Sequence, residues 1–257
     1  MPTRTEMLAA LPADTNFVAV VEVKKLQRSP IAVRGWEVFQ QTEGFANSFG
    51  AMCGADAKIS YALIGFNSKT DTIWAWVDGA PRDTKLDCAA AIEHRKTHPS
   101  TTTRHGDYEI ELSDKNVTET YWLDNDTAFV AIQNKGAEPF GADKLHHTAS
   151  DGGGFANASR MQSLLDHVNF ASGLAVVFDG EMLKQPGVEG MAVSLELDDG
   201  VRAQTFVQFD NEDKAAELRG TYRAILDRGI QGHVIDSGET RVSGTGMAAS
   251  ITLTRSQ

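Results

Sequence analysis

The chain has 257 residues and a formal net charge of −11 at pH 7, from 35 acidic side chains against 24 Lys and Arg. The charge argues against nucleic acid as a partner, because phosphates would be repelled, and it disfavours anionic membrane surfaces. The apolar share of 41% is ordinary for a globular protein with a sizeable core, in one large domain or two small ones. No apolar run approaches the roughly 18 residues that would suggest a membrane span, so no transmembrane segment is predicted.

The first half of the chain shows strand and helix patterns in alternation. A β-branched run that follows Pro12 and Asp14 predicts a buried strand, and Ser29 followed by Pro30 predicts the start of a helix. Pro99 is expected to stop a later helix. The predicted elements are a strand over 17–23, a helical stretch over 30–49, a hairpin of 59–66 and 72–78, a helix over 83–96, and strands over 107–112, 117–123 and 127–133.

Residues 134–158 lose all periodicity and contain Gly152-Gly153-Gly154, which predicts a linker. The second half then repeats the alternation, with Asp198-Asp199-Gly200 as the turn of a long hairpin and Asp210 or Asn211 as the cap of a helix. The predicted elements are a helix over 160–168, a strand over 174–178, a hairpin of 190–197 and 201–209, a helix over 212–228, and strands over 233–236, 239–243 and 248–254.

The opening of the chain recurs later in the sequence. Met7 matches Leu164 and Phe17 matches Leu174 at one constant offset of 157 residues, and the acidic Glu22 matches Asp179. A half-length repeat indicates that one supersecondary unit has been duplicated. We therefore predict an α+β fold with two similar halves, each an antiparallel sheet covered by helices. The predicted domains are a first repeat over 1–133, the linker over 134–158 and a second repeat over 159–257.

Two cysteines bear on the cellular compartment. Cys53 lies in a small, polar segment that is predicted to be a loop, and Cys88 lies in the first turns of the predicted helix. They form either a disulfide, which would close a long loop, or two unrelated buried thiols. There is no Cys-x-x-Cys motif, which argues against a thioredoxin-like site or a structural zinc.

Histidines offer the main alternative chemistry. His94 and His98 are four residues apart near the end of a predicted helix, where imidazoles at i and i+4 share a face, and His105 follows nearby. Because Pro99 ends the helix there, the electrostatic effect of basic groups at a helix C-terminus is the simpler explanation. No metal site and no cofactor are predicted, and these histidines remain weak candidates.

Two surfaces are candidates for binding. Trp74 and Trp76 share one face of a predicted strand and would suit stacking on a sugar, although packing beneath a helix explains them as well. In the long hairpin, Ser194 and Glu196 point away from the apolar face. A polar sheet face of this kind can receive a partner, and a plain solvated face is the alternative.

Three stretches of the chain resemble a known group of proteins. The stretches are Leu11-Pro12-Ala13-Asp14-Thr15 with Leu26-Gln27-Arg28-Ser29-Pro30, then Cys53-Gly54-Ala55-Asp56, and Lys85-Leu86-Asp87-Cys88. They are similar to uncharacterised predicted lipoproteins from the cell envelopes of myxobacteria. The resemblance implies export and a Cys53–Cys88 disulfide, although this chain shows neither an export signal nor a lipid-bearing cysteine.

The leading hypothesis is a non-catalytic, exported cell-envelope protein that acts as a binding or structural accessory module. Its expected partner is another envelope protein or a glycan, and its expected location is periplasmic or extracellular, with lipid anchoring through a removed N-terminal segment as one possibility and the cytoplasm as the alternative. Two other functions stay open. One is a metal-dependent hydrolase that uses His94, His98 or His105, and the other is a glycan-binding module that uses Trp74 and Trp76.

Overall fold

The computed structural model describes residues 3–40, 58–80, 82, 96–97, 99–155, 159–198, 200–231 and 235–254, with the backbone alone at 36–40 and 159–160. Within these residues the strands are β1 (Phe17–Val21), β2 (Tyr61–Asn67), β3 (Thr72–Asp78), β4 (Ser100–His105), β5 (Tyr108–Ser113), β6 (Asn116–Trp122), β7 (Thr127–Asn134), β8 (Leu174–Asp179), β9 (Val188–Leu197), β10 (Gly200–Phe209), β11 (Ser237–Ser243) and β12 (Gly246–Thr254).

The described helices are fewer than the strands. They are α1 (Arg4–Ala9), α2 (Val23–Arg28), α3 (Pro30–Gln40), α4 (Ala142–Asp151), α5 (Ser159–Leu165), α6 (Gly180–Leu183) and α7 (Glu212–Gln231).

Local sequence explains where several helices begin. The side-chain oxygen of Thr3 accepts the Glu6 N–H at 3.3 Å while the Glu6 carboxylate accepts the Thr3 N–H at 2.6 Å, a reciprocal capping box that starts α1. Asn211 caps α7, since its side chain accepts the Lys214 N–H at 3.0 Å. Of the two caps predicted for this helix, Asn211 is the one confirmed.

The chain divides into two compact units, which are described separately. The first comprises Met1–Thr15 and Arg34–Asn157, and the second comprises Asn16–Val33 and Ala158–Gln257. In the first unit the strand order is β2-β3-β7-β6-β5-β4, and every pair is antiparallel. The side chains of Leu63, Trp76 and Phe129 are fully buried in this unit.

In the second unit the strand order is β1-β8-β9-β10-β12-β11, again antiparallel throughout. Helix α7 packs on one face of this sheet. Its Ala215 is fully buried against Val207, Phe209 and Met247, with Leu218 and Tyr222 around them. The alternation of side chains along a strand therefore leaves the neighbouring residues of β10 and β12 on the opposite face.

The predicted fold class is wrong. We expected two similar halves, each an antiparallel sheet covered by helices, whereas the described chain is mostly antiparallel sheet with few helices. The two units also order their strands differently. The first unit has four consecutive antiparallel strands, β4 to β7, while the second places the long α7 between β10 and β11.

The sequence repeat corresponds to a pair of neighbouring strands and not to two similar halves. The repeated segments are β1 and β8, and they pair with each other in one antiparallel ladder, from Phe17 opposite Phe178 to Val21 opposite Leu174. The Phe17 and Phe178 rings meet edge-on with 5.1 Å between their centroids. A sequence pattern identifies a buried strand but not its neighbour, so the repeat by itself does not reveal this pairing.

Candidate functional site

The open face of the second unit carries a groove with a volume of about 240 Å³. Strands β10, β12 and β11 form its floor and walls, and the turn after α5 closes one side. The lining residues are His167, Gln204, Thr205, Phe206, Glu239, Arg241, Ala248, Ala249 and Ser250.

Strand register explains why the groove lies where it does. Ala248 of β12 is opposite Phe206 of β10 on one side and Arg241 of β11 on the other. Ser250 has Gln204 and Glu239 as its two neighbours in the same way. Because directly opposite residues share a face, two short side chains on the middle strand are flanked by four longer ones. The result is a trough along β12.

The aromatic wall of the groove is a stacked pair. The imidazole of His167 lies over the ring of Phe206 with 3.5 Å between centroids and 13° between planes. The turn that carries His167 is fixed from both sides. The His167 N–H donates to the Leu164 carbonyl at 3.1 Å, and two residues later the Asn169 N–H donates to the buried hydroxyl of Ser194 at 2.8 Å.

The opposite wall is charged. A guanidinium nitrogen of Arg241 lies 3.1 Å from a carboxylate oxygen of Glu239, and the two side chains are 82% and 68% exposed. An ion pair this exposed contributes little to stability, so either partner can be redirected to a ligand at small cost.

A second ion cluster lies along the same face. A carboxylate oxygen of Glu196 on β9 lies 2.8 Å from the Lys25 ammonium nitrogen, and the other lies 3.2 Å from a guanidinium nitrogen of Arg202 on β10. The hydrogen bond from Lys25, supported by the charges of Lys25 and Arg202, lowers the pKa of the Glu196 carboxyl below its usual value, and partial burial opposes this shift. Arg202 does not line the groove, which makes it a natural comparison for Arg241.

The first unit holds a buried carboxylate whose role is structural. Glu119 of β6 is 0% exposed, and its two oxygens accept the Tyr108 hydroxyl at 2.7 Å and the backbone N–H groups of Phe140 and Gly141 at 2.8 and 2.7 Å. Gln133 adds a longer contact at 3.4 Å. The carboxylate therefore holds the start of α4 against β6.

Tyr108 shares this environment. Burial of the phenol, followed by its hydrogen bond to Glu119 and the nearby negative charge, raises the pKa of Tyr108 well above its usual range. The phenol therefore stays protonated and donates to Glu119 beyond the pH at which an ordinary tyrosine ionises.

The two tryptophans predicted to bind a glycan are buried in the first unit. Trp74 and Trp76 are 5% and 1% exposed, and the Trp74 ring stacks on Phe129 and Phe140 with centroid distances of 5.7 and 4.8 Å. Neither indole presents a face to solvent here, and the glycan-binding hypothesis remains a prediction that requires them to become accessible.

Of the remaining predicted site residues, only His105 lies in the described part of the chain. His105 is exposed at the end of β4. Cys53, Cys88, His94 and His98 lie outside the described residues, so the predicted disulfide and the weak metal candidates stay predictions. Within the residues that are described, no three His, Cys, Asp or Glu side chains gather as metal ligands would. No described helix is long and apolar enough to cross a membrane.

Sequence reasoning missed the groove residues. The alternation along β10 indicated a polar face, and a search for aromatic residues within it would have found Phe206. His167, Glu239 and Arg241 carry no local signal, because only the strand order and the turn after α5 bring them to Phe206.

The chain matches no family model and no curated protein. Solved structures of another protein have a similar fold. Crystal form III of TP0453 aligns with a TM-score of 0.60 at 12% identity, covering 96% of this chain and 93% of that one. Crystal forms I and IV align with a TM-score of 0.59 at 10% and 11% identity, over 96% of this chain and 92% of those chains. At such identities the likeness concerns the fold alone.

Proposed function

We propose that the chain is a non-catalytic, exported cell-envelope protein that acts as a binding or structural accessory module, and that the groove between β10, β12 and β11 is its binding site. The observation that supports binding is the trough itself. Helix α7 covers one face of the second unit's sheet, while the other face presents an aromatic stack, a cation, a carboxylate, an amide and a hydroxyl around one recess. Convergent polar groups beside an aromatic surface are typical of ligand sites.

Native mass spectrometry of the purified protein mixed with a concentrated small-molecule extract of its own cells tests the binding part, because a weakly held ligand would be lost during purification. The expected result is a non-covalently bound mass that is retained by the wild-type chain and by Arg202→Ala but lost by Arg241→Ala. A bound mass that all three chains retain equally would place the ligand elsewhere. If no chain carries an added mass, the binding proposal is rejected.

Export is tested by cell fractionation together with counting of thiols under denaturing, non-reducing conditions. An exported protein should be recovered from the envelope or periplasmic fraction, and Cys53 and Cys88 should be protected from alkylation until a reductant is added. Two free thiols in protein taken from its native compartment, or recovery in the cytoplasm, would contradict export. Mass analysis of the mature N-terminus in the same sample distinguishes a lipid-anchored form from an unmodified one.

A further inference from the structure

The groove of the second unit is small, and one of its walls is aromatic while the other is charged. Its volume of about 240 Å³ is below the roughly 300–1,000 Å³ of sites that hold drug-sized ligands. Such a recess accommodates a single ring with one or two substituents. The side chains of the two walls indicate which kind of ring and which substituents the groove would bind.

The wall on β10 selects a flat, unsaturated ring. His167 and Phe206 are nearly parallel, and the half-buried Phe206 borders the small Ala248 on the groove floor. Aromatic rings bind to such a surface by offset or edge-on contact, which a saturated ring of the same size reproduces only in part.

The wall on β11 selects an anion. Strand β12 separates β11 from β10, and Ala248 of β12 lies between Arg241 and Phe206. The guanidinium is therefore placed across the floor from the aromatic stack. Its present partner, Glu239, is held only by a solvent-exposed ion pair. A carboxylate fits the planar donors of arginine in two parallel hydrogen bonds, which is stronger than a single contact.

Polar groups remain for a second substituent. Gln204 and Glu239 flank Ser250 in the next row of the sheet and offer an amide, a carboxylate and a hydroxyl. A hydroxyl on the far side of the ring can donate to the carboxylate of Glu239 once that group is released from Arg241.

We propose that this groove binds a small aromatic carboxylate, with the ring beside the His167–Phe206 stack, the carboxylate on Arg241 and a ring hydroxyl directed to Glu239. The inference rests on the proposed function, because it names the ligand class of the same site. The general repulsion of anions by a chain with a net charge of −11 makes the local cation the deciding contact.

The test is a titration of the full chain with para-hydroxybenzoate, followed by backbone amide chemical shifts in NMR. Shifts should be largest at 204–206, 239–241 and 248–250, with a Kd of roughly 1 mM for so small a ligand in an open site. Cyclohexanecarboxylate, which keeps the charge but lacks the aromatic ring, should bind distinctly more weakly.

Matched arginine variants provide the control. Arg241→Ala should raise the Kd about tenfold through loss of a charge-assisted contact, while Arg202→Ala should leave it unchanged. Both arginines are exposed and paired with a glutamate on the same sheet face, so both variants are expected to fold, and their melting temperatures check this. Equal effects of the two substitutions, equal binding of the saturated acid, or shifts confined to other residues would overturn the inference.

The two proposals fail separately. A bound mass in native mass spectrometry that depends on Arg241, without any binding of para-hydroxybenzoate, removes the aromatic carboxylate and leaves the binding module in place. If the Arg241-dependent mass is missing as well, both proposals are wrong.

Discussion

Among the single side chains of this protein, Glu119 makes the clearest contribution to the structure. It is a fully buried carboxylate whose oxygens accept hydrogen bonds from a phenol and two backbone N–H groups. An ionised carboxyl only accepts hydrogen bonds. The phenol and the two backbone N–H groups around Glu119 each donate to one of its two oxygens. The cost of burying a charged group is offset only while all of these bonds are made.

Glu119→Gln therefore destabilises the protein out of proportion to its size. The amide offers one oxygen where the carboxylate offered two, and its NH₂ group must face the N–H of Phe140 or Gly141. We expect the free energy of unfolding in urea to fall by about 2–3 kcal/mol, because a buried donor is left unsatisfied. Glu111→Gln on the neighbouring β5 is the control, and it should change the value by less than about 0.5 kcal/mol. Equal effects would show that the Glu119 contacts contribute nothing.

The pH dependence of stability should report on Glu196. Lys25 and Arg202 lower the pKa of this carboxyl in the folded state, so the unfolded chain binds the proton more readily, at its ordinary value of 4.5. The stabilisation is therefore fully present above pH 4.5 and is lost as the pH falls through the lower, folded pKa.

Urea unfolding of Glu196→Gln at a series of pH values measures this contribution. The variant should be less stable than the wild type at neutral pH, and the difference should shrink as the pH falls below 4.5. In a Lys25→Met background most of the difference should disappear at every pH, because the Lys25 hydrogen bond is the largest cause of the shift. A difference that stays constant with pH would contradict the assignment.

Among the helices and strands, the junction before α4 shows how backbone conformation limits the sequence. Gly141 precedes the helix with φ of +84° and donates its N–H to Glu119. A side chain at this position would meet no atom within 4 Å, so the requirement for glycine is conformational and not steric. The predicted linker over 134–158 contains this ten-residue helix.

Two glycine-to-alanine substitutions should have opposite signs. Gly141→Ala is expected to lower the free energy of unfolding by about 1 kcal/mol, since alanine does not readily adopt a positive φ. Gly220→Ala, at an exposed position inside α7 with open space around it, should raise it by about 0.5–1 kcal/mol through higher helix propensity. Denaturant midpoints of the two variants measured side by side provide the check. No loss of stability with Gly141→Ala would contradict the requirement for a positive φ, and a loss with Gly220→Ala would contradict the helix-propensity argument.

The sheet of the second unit draws on a distant part of the chain. Its strand β1 comes from Asn16–Val33, while its other five strands come from Ala158–Gln257. Without β1, the apolar β8 would lose a whole ladder of backbone hydrogen bonds and expose an edge that is prone to aggregation.

A fragment of residues 158–257 is therefore expected to fold poorly. It should aggregate or show a broad, non-cooperative melt by circular dichroism, whereas a single chain that joins 16–33 to 158–257 through a flexible linker should melt cooperatively. Size-exclusion chromatography of both chains separates folded monomer from aggregate. A shorter fragment that is monomeric and melts cooperatively on its own would show that β1 is dispensable.

Much of the local structure could be predicted from the residues in sequence order. The alternation along β2 and β3, the hairpin of β9 and β10 and the cap of α7 depend on neighbours within a few positions, and the structure confirms these elements. Strand β4 was missed because Ser100 to His105 is polar throughout and fully exposed, so it has no apolar period to detect.

The amino-acid sequence by itself determined where most of the strands and the long helix α7 form, and it set the net charge of −11. Only the tertiary structure decided that β1 pairs with β8, that Glu119 holds the start of α4, and that His167, Phe206 and Arg241 surround one groove. The physical reason is the separation along the chain over which the interactions act. Secondary structure follows from periodicity over neighbouring residues, whereas strand order and side-chain convergence depend on contacts between residues far apart in the chain.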